Sequence, residues 1–235
     1  MVGETNTGTF DPRIPLLLLL SVTTGLVDAA SVLGLGKVFT ANMTGNVVFL
    51  GFAAAGTPGF KVAPFVVAIL SFMVGALIAG WTGRAHVGRS ERRWLLTSAI
   101  LETAMLWIAA LVALGFDVTT QAPEMRLFAI IVLTGIAMGY RNATIRQLKV
   151  ADLTTTVLTL TLAGLGADSS VAGGANPNWR RRVAAVVAIF LGAAAGAWLL
   201  FHIGLAAPLA IAGTLVLFGT IACTLHPASA RTVNG

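Results

Sequence analysis

Charge is what this sequence lacks most. Only 10% of its 235 residues are Asp, Glu, Lys or Arg, against about a quarter in soluble domains. With 57% apolar residues and a mean hydropathy of +0.88, that deficit excludes an ordinary water-facing surface and points to lipid as the solvent. Cysteine is nearly absent too. The single Cys223 has no partner for an internal disulfide or a thiolate metal site, and reads as a small packing residue. Also missing are a His-Glu-x-x-His pair, a Gly-x-Ser-x-Gly elbow, a phosphate-binding glycine loop and a cysteine–histidine pair. No nucleophile, metal set or cofactor loop supports an enzyme. The expectation is no catalysis, no cofactor and no metal.

The charges that are present are informative by position. A net charge of +6 and a pI near 10.7 would suit nucleic acid if one basic face lay beside a normal core. Instead Arg84, Arg89, Arg92 and Arg93, and then Arg180, Arg181 and Arg182, cluster between apolar runs. That is the mark of cytoplasmic loops in a multi-pass membrane protein, so the partner is the lipid bilayer and not nucleic acid. The tail over 1–13 has Glu4 and Asp11 before its only arginine. It lacks the basic start of a cleaved signal, so the first apolar run is expected to stay as a transmembrane helix.

Eight apolar segments follow: 15–35, 38–55, 63–81, 94–114, 127–147, 153–165, 183–201 and 206–225. The first is long enough to cross ~30 Å of hydrocarbon at ~1.5 Å per residue. Segments 38–55 and 153–165 are short, and polar at their starts. If all eight cross, the fifteen Lys and Arg residues divide 8 against 7. If the two short segments enter and return on one side, the division becomes 12 against 3. Only the second obeys the positive-inside rule. It predicts six crossings, two re-entrant or broken segments, and both termini in the cytoplasm.

The chain also repeats itself. Gly25-Leu-Val-Asp28-Ala29 matches Gly139-Tyr-Arg-Asn142-Ala143 at an offset of 114, and Thr40 and Thr44 pair with Thr155 and Thr159 at 115. Val66-Val-Ala-Ile69 is identical to Val186-Val-Ala-Ile189, and Ser71/Gly75 aligns with Gly192/Gly196. Residues 14–115 and 126–225 therefore read as two diverged copies of one membrane unit, followed by a tail over 226–235. With three crossings each, the second copy must be inverted relative to the first, a recurrent transporter and channel plan. The fold expected is an all-α membrane protein of six transmembrane helices in two inverted three-helix repeats.

These residues, above all Phe39-Thr-Ala-Asn42-Met-Thr44-Gly45-Asn46 with Gly25-Leu-Val-Asp28-Ala29 and Asp152-Leu-Thr-Thr-Thr156, resemble the YoaK-like family of bacterial inner-membrane proteins. The resemblance runs from Pro15 to about Leu225. It implies a multi-pass plasma-membrane protein and no particular activity.

Function must therefore be read from polar residues inside apolar sequence. Asp28 is an acid in a lipid-spanning run, where a charge costs roughly 2.5–3.5 kcal/mol and normally faces a cavity or a partner. It reads as an ion or proton site, or as a structural acceptor bonding Asn42 or capping a helix fragment. Its counterpart is Asn142, which favours an asymmetric site. Thr40, Asn42, Thr44 and Asn46 recur at every second position, a spacing that suits irregular backbone or a wet cavity. Thr155 and Thr159 are their counterparts; for the threonines, which can also bond their own helix, interhelical hydrogen bonding is the stronger reading. Glu102 is a second intramembrane acid, either a proton relay or the partner of Arg141 or Arg146. The leading expectation is a channel or secondary transporter for a small ion or polar solute. The other is a non-transporting membrane scaffold or regulatory subunit. The small-residue faces are compatible with a homodimer.

Overall fold

A computed structural model describes residues 11–148, 158–176 and 178–226. Eight α-helices occupy them: α1 (Arg13–Gly34), α2 (Met43–Ala54), α3 (Val62–Ala85), α4 (Glu91–Ala113), α5 (Glu124–Leu148), α6 (Leu158–Ala167), α7 (Trp179–His202) and α8 (Ala206–Leu225). There is no strand among the described residues. Six of the helices, all but α2 and α6, are long and apolar enough to cross a membrane.

Several helices outrun the apolar segments that predict them. α3 continues through Arg84, α4 begins at Glu91, and α7 begins just before the arginines at 180–182. Backbone hydrogen bonding is satisfied within a helix, so its ends extend past the apolar core into the polar interface. The opposite holds for α2, which starts at Met43 rather than 38. Residues 38–42 are held out of helix by side chains described below.

Small residues set the packing. α1 lies on α7, and α3 lies on α5. A methyl group added at Gly25 would overlap the Ile189 carbonyl, and one at Gly192 would overlap that of Val22. On the other pair, Gly75 meets the Ile136 carbonyl and Gly139 meets that of Phe72. Backbones this close exclude any Cβ, the packing that small-xxx-small spacing permits. α4 then joins α8, with Thr103 donating to the Gly213 carbonyl at 3.0 Å and Trp107 to that of Ala210 at 3.3 Å. α4 also packs on α5, and α1 on α8.

These contacts define the two ends of the bundle. At one end Arg13 approaches Glu91 at 3.9 Å, and Arg92 donates to the His226 carbonyl at 2.9 Å. Gln147 reaches the Ala79 carbonyl at the same end. At the other end Gln121 donates to the Gly34 carbonyl at 3.0 Å, and the Lys37 ammonium lies 4.5 Å from the centre of the Phe60 ring. α1 and α7 run parallel, since Gly192 meets Val22 and Gly196 meets Leu26. The stretch between α1 and α3 therefore starts and finishes at one end, and that between α5 and α7 at the other. The link after α6, rich in Gly, Ser and Asn, is folded. Ser169 accepts from the Ala172 N–H at the start of a 3₁₀ turn, and Arg182 pairs with Asp168 at 2.6 Å.

Candidate functional site

Asp28 and Asn46 shape the site without lining it. The half-buried Asp28 carboxylate accepts the backbone N–H of Ala41 at 3.0 Å. The fully buried Asn46 grips both sides of Phe39: its Oδ1 accepts the Phe39 N–H at 2.9 Å and its Nδ2 donates to the Phe39 carbonyl at 2.6 Å. Backbone left without helical partners inside a bundle must find others. Two sequence-predicted residues supply them, so Asp28 bonds the chain next to Asn42 rather than Asn42 itself. Gly45 packs against the Phe39 ring so closely that a Cβ there would overlap it. This pinned strip delivers the start of α2 to mid-bundle.

A cavity of about 610 Å³ opens there. Asn42 and Thr44, both exposed, line it from the start of α2, and Asn142 and Arg146 from α5. Phe72 and Ala76, midway along α3, form its floor, and Leu160 of α6 reaches it from the other short helix. Three of the expected pathway residues, Asn42, Thr44 and Asn142, thus meet in one place. Asn142 donates to the Met138 carbonyl at 2.8 Å and leaves its own side-chain oxygen buried without a partner. Asp28 and Asn142 share no hydrogen bond; each bonds backbone. Thr40 is fully buried behind the strip, its hydroxyl unpartnered. Thr159 is exposed on α6 beside, but not among, the lining residues, and Thr155 lies outside the described residues.

Glu102 belongs to a separate cluster on the far side of α5. Its Oε1 accepts both Nε (2.6 Å) and Nη2 of Arg141, and both residues are buried. Arg141 also donates to the Leu20 carbonyl at 3.2 Å and to the Thr24 hydroxyl at 3.1 Å, joining α4, α5 and α1. Next to it Tyr140 bridges Ser98 (3.1 Å) and Thr82 (2.9 Å). A void of about 30 Å³ borders the pair, with the unpartnered Thr144 hydroxyl in its wall. Of the two arginines proposed for Glu102, Arg141 is the partner, which leaves Arg146 to the large cavity. Sequence reading placed Arg146 only as a partner for Glu102. Its position four residues after Asn142, on the same helical face, was the available signal. No cluster of metal-ligating residues occurs among the described residues.

Six long apolar helices packed around an apolar core with scattered buried polar residues define a multi-pass helical membrane protein. The chain belongs to the family described as protein of unknown function DUF1275, whose model matches residues 16–222. It is 37% identical over 162 residues to the UPF0700 transmembrane protein YoaK of Bacillus subtilis (strain 168), covering 67% of this chain and 68% of that one. The resemblance seen in the motifs is thereby borne out. No solved structure matches.

Proposed function

We propose that the chain is a channel or secondary transporter for a small ion or polar solute, built as two inverted repeats in the bacterial inner membrane. The observation that carries this reading is the mid-bundle cavity, where polar residues of both halves converge. Helix pairing supports the repeat: α1 on α7 and α1 on α8 mirror α5 on α3 and α5 on α4, while α4 and α8 meet each other. The parallel pair α1/α7 runs opposite to α3/α5, as inversion requires. α2 and α6 are then the re-entrant elements, and the end bearing Arg13, Glu91 and His226 is cytoplasmic by the positive-inside rule. No catalytic role is assigned.

A scaffold role is favoured by a different observation: Asp28, Asn46 and Glu102 are each engaged by backbone or an ion pair. Labelling of Asn42→Cys separates the two readings. A water-filled pathway gives fast modification by a membrane-impermeant thiol reagent in the Cys223→Ala background, together with solute flux in liposomes. Absence of both overturns transport.

A further inference from the structure

We propose that the mid-bundle cavity binds a small anion, a reading that rests on the transport function above and names its solute class. Of the described residues that line the cavity, Arg146 alone is charged. Among the described residues it has no carboxylate partner, because Glu102 is engaged by Arg141. The other intramembrane acid, Asp28, is turned to the Ala41 N–H and is not part of the lining. A cation entering here meets no carboxylate among the described lining residues.

The helices add to this. The twelve-residue α2 opens onto the cavity through Asn42, Met43 and Thr44. Asn42 occupies the cap position without a side-chain cap hydrogen bond, so it does not screen the first-turn N–H groups. Leu160 of α6 borders the same space. The start of α2 presents unpaired N–H groups and about half a positive charge. Together that helix end and the exposed Arg146 guanidinium make the described lining positive. Broken helices in transporters direct their N-termini at anionic groups in this way. The exposed Thr44 hydroxyl and Asn42 amide provide neutral donors to the same anion.

Two measurements test the proposal, and they fail separately from the transport reading. Thermal melts of the purified protein in detergent are compared in sodium nitrate, sodium formate and sodium chloride at constant ionic strength, with sodium gluconate as a bulky reference. A small anion is expected to raise the melting temperature in a saturable way. Arg146→Ala is expected to weaken its half-saturation about tenfold, the loss of one charge-assisted contact, and Arg146→Lys to retain most of it. Equal melts in all four salts overturn the anion site. In liposomes the same anions are expected to move faster than potassium or glycerol, and Arg146→Ala to slow them while remaining monodisperse and folded. Flux of potassium or glycerol without anion flux keeps the transport reading and overturns the anion class. Saturable stabilisation without flux of any solute supports the binding site and overturns transport.

Discussion

Asp28 illustrates how one acid within a lipid-spanning helix serves structure. Its carboxylate holds the Ala41 N–H, and through it the strip that positions Asn42. Asp28→Ala leaves that N–H without its acceptor and is expected to cost about 1–3 kcal/mol, read as a lower melting temperature in detergent. Asp28→Asn keeps an acceptor oxygen and is expected to melt like the wild type. If the carboxylate couples protons to transport, the asparagine variant loses the pH dependence of flux. Wild-type flux with clearly reduced stability would end the coupling idea. The Glu102–Arg141 pair behaves differently, because both charges are buried and mutually satisfied. Removing either partner alone strands the other. Glu102→Leu or Arg141→Met is expected to destabilise by about 3–5 kcal/mol, and the double variant by less than the sum. A strictly additive double variant would show that the two charges do not stabilise each other.

At the scale of elements, glycine separates helices that must touch from helices that need not. Gly25 and Gly139 occupy matching motif positions, and each faces the backbone of another helix. Gly25→Ala and Gly139→Ala are expected to lower stability by about 1–3 kcal/mol each through overpacking. Gly51, on α2, has open space where its Cβ would stand. Gly51→Ala is expected to be at least as stable as the wild type, since alanine is the better helix former. Matching melts for all three would mean that α1/α7 and α3/α5 are looser than the structure has them. Most elements were legible in the sequence, because apolar length marks a lipid-spanning helix without knowledge of its neighbours. The start of α2 was less legible. Residues 38–42 belong to the apolar segment read over 38–55, and where its helix begins depends on the bonds that Asp28 and Asn46 make to their backbone.

At the scale of the whole molecule, charge distribution predicts orientation. Reporter fusions after residues 60, 88, 120, 175 and 230 are expected to read outside, inside, outside, inside and inside. An outside signal at 175 would restore eight crossings, contrary to the packing of α5 and α7, whose facing ends lie at the same end of the bundle. The internal match of the two halves was visible as a drift of offsets. The way they interlock was not, because each first helix packs on the other half rather than its own.

Composition and motif spacing by themselves determined the solvent, the number of long helices, the family and most of the polar residues of interest. Each of these depends on the chain's local chemistry and its periodicity. Tertiary structure alone decided which polar residues share a space. Asn42, Thr44 and Asn142 meet Arg146 in a cavity, whereas Asp28 and Asn46 face backbone and Glu102 faces Arg141. The physical reason is that a buried donor or acceptor takes whichever partner packing brings within about 3 Å, and spacing along one helix marks a face without naming the side chains that meet it from another.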